Sequence, residues 1–531
     1  MSRAVFEDGK MDGFRDANAM GWDRKMIEWT RRLTPEVCII GSGAGGAVAA
    51  ATLAGAGHEV LVVEEGGHRT RKDFNMREDV AFRHLYEEGG ARATADLGVS
   101  ILQGRTVGGT TVVNWTTSFR TPEPVLQHWR DHFGVAELDA ATLAPHFAAV
   151  EERLNIREIP LEESNRNNRL LYDGCQALGL AAAPTRRNVK QCMKSGYCGM
   201  GCPIDAKQSM LVTYLPDAVA RGATVLYRCH IDRLDIEAGR VVRARGQVLS
   251  EDGHTPTGAT LEIEAKHFIV SAGAINSPAL LIRSGLGGSS SPLGRRTFLH
   301  PTVGVSARHK EIVEPYYGAP QSIASHALAH RGNQCGLFLE TAPIHPMLAA
   351  LSLPGFAETH RREMLDLPYL SAHIALAIDG FGATETGGTV QVRPSGAPQL
   401  DYVLPPRIWE AIRTAVRKLA EIDLAAGAEV VRTGHDPVIE IRSQADLAKL
   451  DSAPYATGRI AVFSAHVMGG CTMGADPIRS VVRPSDLRHH RIANLYVIDG
   501  SVLPTSLGVN PQETIYGIAH WVAGRLHASW A

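Results

Sequence analysis

Three glycines stand where a phosphate-cradling turn needs them. Gly41-Ser-Gly-Ala-Gly-Gly46 follows the apolar run Val37-Cys-Ile-Ile40, with Gly41, Gly43 and Gly46 at the G-x-G-x-x-G positions. The first glycine permits the tight turn, the second lets backbone approach a pyrophosphate, and the third lets helix and strand pack closely. The start of the following helix would present free N–H groups to the phosphates. Glu64 lies eighteen residues after Gly46, at the end of the next apolar run. A carboxylate there can accept hydrogen bonds from a ribose diol. A glycine-rich turn without ligand is the plainer reading, but the flanking strands and the terminal acid favour dinucleotide binding. The motif does not separate FAD from a nicotinamide cofactor.

A second group is thiol chemistry. Cys192, Cys198 and Cys202 are bunched as C-x5-C-x3-C. Three thiolates this close can ligate an iron–sulfur cluster. Zinc would want a fourth ligand, for which Cys229 and His230 are near only in sequence. A disulfide or free buried thiols are the blander alternatives. The other five of the eight cysteines are scattered, as in a reduced cytosolic protein.

These residues need elements to hold them. Val37–Ile40 reads as a buried strand, the alanine-rich run to about Ala56 as a helix stopped by Gly57, and Glu59–Val63 as a second strand. Together they make a βαβ unit. The uncharged run from Val37 to Gly57 has membrane-span length, but it is loaded with glycine and alanine and divides into strand, turn and helix. Helices are expected over Leu138–Leu154, up to Arg221, and over Pro406–Ala426. Strands are expected over Thr224–Tyr227, Arg240–Val248, Thr260–Val270 and within Gly388–Arg393, and Leu293–Val305 leads out into the middle stretch. Residues from about 305 to 450 lack glycine fingerprints and read as a second domain. Asn510-Pro511 supplies an N-cap and a first-turn proline for a final helix with Ile515, Ile518, Ala519 and Val522 at helical spacing. Its positive end could stabilise negative charge on a reduced flavin.

Further segments resemble the glucose–methanol–choline (GMC) oxidoreductase family. Gly104-Arg-Thr-Val-Gly-Gly-Thr-Thr-Val-Val-Asn114 resembles the family's loop along the flavin, and Ser271–Gly287 its second signature. Leu299-His-Pro301 is similar to the segment leaving the FAD domain. Ser464-Ala-His-Val-Met-Gly-Gly-Cys471, Asp499–Pro504 and Gly508–Thr514 resemble the C-terminal catalytic region. The resemblance implies an α/β fold: a Rossmann-like FAD-binding domain assembled from separated segments, plus a substrate domain with an antiparallel sheet and helices. It divides the chain into an N-terminal extension (1–35), FAD-binding parts (36–135, 206–304 and 454–531), a substrate-side or cap segment carrying the cysteines (136–205) and a substrate-binding domain (305–453). FAD would lie along Gly41, Gly43, Ala44, Gly45, Gly46, Glu64, Gly104, Gly109, Val113, Asn114, Ile231, Asp499 and Asn510. Some members bond flavin to a histidine four residues after the paired glycines; here Val113 holds that place, which implies non-covalent FAD. There are 22 histidines, so residue type alone singles out none. The resemblance marks His466 as the base for the hydroxyl proton, with Asn510 holding the substrate oxygen. The cysteine segment is similar both to cluster-bearing subunits of bacterial FAD-dependent glucose dehydrogenases and to long-chain alcohol oxidases.

Bulk properties set the frame. Of 531 residues, 44% are apolar and 21% charged, with 54 basic against 56 acidic side chains. That balance argues against a nucleic-acid binder or a polybasic membrane patch. Length alone favours two domains or a two-lobed body. The polar N-terminus to Thr34 lacks the apolar core of a signal peptide, and Lys25–Leu33 could form a short helix. Its Arg31-Arg32 pair has no export-type run after it, so a cytoplasmic location is expected, with export beside a signal-bearing partner left open. The expected function is oxidation of a small-molecule alcohol by hydride transfer to flavin, as a dehydrogenase passing electrons to an acceptor protein or as an oxidase reducing O2. A flavin-retaining lyase and a nicotinamide enzyme are the rivals. Phe338, Tyr369 and Phe381 are candidates to face a bulky alcohol or to pack in the core.

Overall fold

The computed structural model describes residues 13–19 and 30–530. Six parallel strands form its first sheet, in the order Phe14–Asp16, Thr224–Tyr227, Val60–Glu64, Val37–Ile40, His267–Val270, Leu495–Val497. Val37–Ile40 and Val60–Glu64 are buried throughout, as central parallel strands are. Helix Ala44–Gly55 crosses between them. It presents mostly alanine and glycine, so it lies close against the final helix Gln512–Trp530. The sheet therefore unites strands from the two ends and the middle of the chain.

The second sheet is antiparallel along its main path. Thr302–Arg308, Leu370–Ala377, Leu337–Thr341 and Ile323–Ser325 are its centre, with Val430–Thr433 on the other side. Helix Pro406–Ala425 packs on it with Ile408, Ala411, Ile412, Ala415, Val416, Leu419 and Ile422, a stripe at three- and four-residue spacing. The sheet also recruits Ser100–Ile101, Ala183–Pro184 and Phe463–Ser464 from outside 305–453. Segments leaving the parallel sheet thus run directly into the wall of the second lobe.

Some expectations change. Thr30–Leu33 is a strand, pairing in parallel with Thr260–Ile263, with Arg32 ion-paired to Glu262; the rest of the helix expected over Lys25–Leu33 lies outside the described residues. Phe14–Asp16 is an edge strand of the parallel sheet. Thr260–Val270 divides into Pro256–Ile263 and His267–Val270, which belong to different sheets. The first bond of the final helix runs from Ile515 N–H to the Pro511 carbonyl, so Pro511 takes the capping place expected for Asn510. Among the described residues no helix is long and apolar enough to cross a membrane.

Candidate active site

The two lobes enclose a cavity of about 310 Å3. At one end lies the glycine turn. Gly41 has φ +105°, and a Cβ there would stand 2.2 Å from the Ser271 carbonyl oxygen, so only glycine fits. Gly46 does not line the cavity; a Cβ on it would meet the Gly41 carbonyl at 2.0 Å, the close packing expected of the third glycine. Gly41, Gly43, Ala44 and Gly45 do line it, and helix Ala44–Gly55 starts there without a side-chain cap. Its first N–H groups are available to an anion.

Glu64 lines the same end, but its carboxylate is largely engaged. It accepts from Ser42 N–H (3.0 Å), Ser42 Oγ–H (2.6 Å) and Gly66 N–H (2.8 Å). Of about four acceptor positions on a carboxylate, one is left for a ribose hydroxyl. Glu64 therefore braces the turn as well as facing the cavity. Ser42 Oγ also accepts from Gly108 N–H (2.9 Å), tying the turn to the Gly104–Asn114 loop. Glu65 beside it pairs with Arg105 (2.7 Å) and His230 (3.0 Å). Asp499 clips two distant segments together: it accepts from Gly273 N–H (2.8 Å) and Ser277 Oγ–H (2.5 Å) on one oxygen and from Ser501 N–H (2.8 Å) on the other. Burial raises the carboxyls of both Glu64 and Asp499 above the ordinary range, against these hydrogen bonds.

Along the middle run Gly104, Gly109, Val113, Asn114 and, from the facing strand, Ile231. Lys207, almost fully buried, donates to the carbonyls of Val112, Asn114 (2.9 Å) and Cys198 (2.6 Å), so it pins this loop. Asn114 and Trp115 both line the cavity, Asn114 Nδ2 donating to Gln512 Oε1 (2.7 Å), while Asn114 Oδ1 and Trp115 Nε1 are buried without partners.

At the far end stand His466 and Asn510. His466 Nε2 lies 3.2 Å from Asn510 Nδ2, and burial pushes its pKa down to about 4. His466 Nδ1 lies 3.2 Å from Nδ1 of buried His300. Asn510 Nδ2 also reaches Glu340 Oε2 at 3.4 Å. The final helix opens onto this end through Pro511, Gln512 and Ile515. His300 was marked only as part of the Leu299-His-Pro301 segment leaving the FAD domain, and Glu340 had no sequence signal: each meets the pair across more than 160 residues of chain.

The cysteines behave differently from the cluster expectation. Among the described residues no three His, Cys, Asp or Glu side chains converge to hold a metal ion. Cys192, Cys198 and Cys202 line a separate small cavity and are free. Each sulfur has its own donor: Lys194 N–H (3.4 Å), Arg187 (3.6 Å) and Lys207 N–H (3.5 Å), respectively. Cys229 and His230 line the main cavity instead, so they are not a fourth ligand. Phe338, Tyr369 and Phe381 do not line that cavity. They pack against His300 and His326, Arg308, and His128.

Fold and cavity define a dinucleotide-binding α/β protein whose cleft is closed by an antiparallel lobe. Family models agree: GMC oxidoreductase matches at residues 82–302 and 384–519, and an NAD(P)-binding Rossmann-like domain at 39–104. An uncharacterized GMC-type oxidoreductase of Mycobacterium tuberculosis is 34% identical over 92% of this chain and 75% of its own. A long-chain-alcohol oxidase of Arabidopsis thaliana is 30% identical over 92% and 68%. The chain belongs to the GMC oxidoreductase family. The crystal structure of pyridoxine 4-oxidase from Mesorbium loti shares the fold, with a TM-score of 0.70 at 20% identity over 93% of this chain and 99% of that one.

Proposed function

We propose that this protein is an FAD-dependent oxidoreductase that converts the CH–OH group of an alcohol to a carbonyl. The observation that carries this reading is the His466–Asn510 pair, 3.2 Å apart, in one cavity with the glycine turn. Family membership, the long-chain-alcohol oxidase relative, and a structural neighbour whose title concerns FAD modification in formate oxidase support FAD and an alcohol donor. The residues present fit the cofactor. The glycine turn and the bare helix start suit its pyrophosphate, Glu64 its ribose, and the Gly104–Asn114 loop along the middle of the cavity its ring. Bound there, FAD supplies the hydride acceptor. His466 contacts the reacting hydroxyl, Asn510 fixes its orientation, and the proton leaves into the cluster these two form with Glu340. Val113 offers no nucleophile, so the flavin is held non-covalently.

Anaerobic addition of a panel of aliphatic, aromatic, steroid and sugar alcohols tests this. Bleaching of the flavin absorption by one class supports the reading. Turnover with a flavin that never bleaches would mean a lyase, and a colourless protein a nicotinamide enzyme. Repeating turnover with a dye and with O2 separates dehydrogenase from oxidase.

A further inference from the structure

Arg105 follows Gly104 in the loop along the middle of the cavity, yet its side chain reaches the glycine-turn end. It lines the cavity with Glu64, Glu65 and His230 and is 10% exposed. Its Nε and Nη2 donate to Glu65 Oε1 (2.9 and 2.7 Å), and Nη2 also donates to the Gly253 carbonyl (2.6 Å). A guanidinium has no acceptor, so Nη1 donates to Nδ1 of His254 at 3.2 Å. Glu65 Oε2 lies 3.0 Å from His230 Nδ1.

Gly253 and His254 belong to the turn between strands Arg240–Leu249 and Pro256–Ile263. Val248 and Gln247 pair with Cys229 and His230, which line the cavity, so the turn leaves its sheet at the cavity's edge. The turn holds its own shape. Asp252 Oδ1 accepts from Ser250 Oγ–H (2.5 Å), His254 N–H (2.7 Å) and Thr255 N–H (2.9 Å), and Oδ2 accepts from Thr255 Oγ–H (2.6 Å). Gly253 N–H closes it onto the Ser250 carbonyl (2.9 Å). Glu251, Asp252, His254 and Thr255 are exposed, while Gly253 between them is buried. The tip is therefore seated, and Arg105 is its seat: a Cβ on Gly253 would stand 3.7 Å from Arg105 Nη1.

We infer that the Ser250–Thr255 turn is a clasp at the adenosine end of the cofactor site, closed through Arg105, which is a cofactor-positioning residue. The inference rests on the FAD reading of the cavity. Of about four acceptor positions on the Glu65 carboxylate, Arg105 takes two and His230 one, which leaves one. Glu64 also keeps one. Two neighbouring carboxylates with one free position each suit the two hydroxyls of the adenosine ribose. Arg105 holds Glu65 in place for that contact, and the turn holds Arg105. Without the turn, Arg105 keeps Glu65 as its only side-chain partner, and both long side chains regain rotamers that binding must then freeze. The loss falls on the rate at which the cofactor leaves.

Release is read without substrate, by diluting FAD-loaded protein and following the rise of flavin fluorescence. Arg105→Met and Asp252→Ala should each speed release by ~10-fold. Asp252 does not line the cavity, so its effect passes through the turn. The double variant should release FAD no faster than the faster single variant, because both open one clasp. Asp252→Asn keeps the Oδ1 acceptor and should hold FAD as the wild type does. Wild-type release from Asp252→Ala, or effects that multiply in the double variant, would overturn the clasp. If Arg105→Met does not fold, Asp252→Ala against Asp252→Asn decides. A wild type that takes up no FAD would sink the cofactor reading itself.

Discussion

In the proposed reading His466 contacts the reacting oxygen. His466→Ala should lower anaerobic flavin reduction by ~10²-fold or more while FAD stays bound. Unchanged kinetics would remove it from the site. Glu340 makes a separate prediction through stability. Its folded pKa, about 8, lies above the ordinary carboxyl value of 4.5, so the native state keeps a proton that the unfolded chain releases. Stability is then full below pH 4.5 and is lost as pH rises between the two values, by up to about 1.4 kcal/mol per pH unit. Glu340→Gln removes this loss. Its melting temperature relative to wild type should climb from about pH 5 to about pH 8 and then level off. A constant difference across that range would show the carboxyl is not protonated in the fold. The places of His300 and Glu340 in the site were not legible in the sequence, since a histidine before proline and an acid in a buried strand are ordinary residues until the fold brings them to His466 and Asn510.

At the scale of elements, the local pieces were the legible ones. Strand Val37–Ile40, its glycine turn and Pro406–Ala425 follow from short-range pattern and were expected within a residue or so. Thr260–Val270 misled because apolar alternation runs on through Glu264–Lys266, where the chain changes sheets. Lys207 was visible only as a lysine after the cysteines; its work is to join two loops that sequence cannot show are adjacent. Replacing it by Met leaves the carbonyls of Val112, Asn114 and Cys198 buried without their shared donor. Each such loss costs about 1–3 kcal/mol before relaxation. Lys207→Met should therefore lower the urea midpoint and also loosen FAD, because the pinned loop lines the cavity. A variant with normal flavin retention at equal destabilisation would show that the strut serves stability alone.

At the scale of the molecule, the cavity is a junction. Its walls come from the glycine turn, the Gly104–Asn114 loop, strand Leu337–Thr341 and the segment from His466 to Gln512, tied to one another by hydrogen bonds such as Gly108 to Ser42, Asn114 to Gln512 and Asn510 to Glu340. A ligand that touches all of them stabilises the whole native body and has no counterpart in the unfolded chain. Stabilisation then grows as the logarithm of free ligand, reaching about 2.7 kcal/mol at a hundred times Kd. With valine at 113, acid precipitation should leave flavin in the supernatant and yield an apoprotein. That apoprotein should melt lower than the holoprotein, and added FAD should raise the melting temperature without reaching a ceiling set by stoichiometry. FMN lacks the adenosine half that would reach the Glu64 end, so at equal concentration it should restore less. Flavin retained in the acid pellet would refute non-covalent binding, and equal rescue by FMN would refute the placing of the adenosine half at the glycine turn.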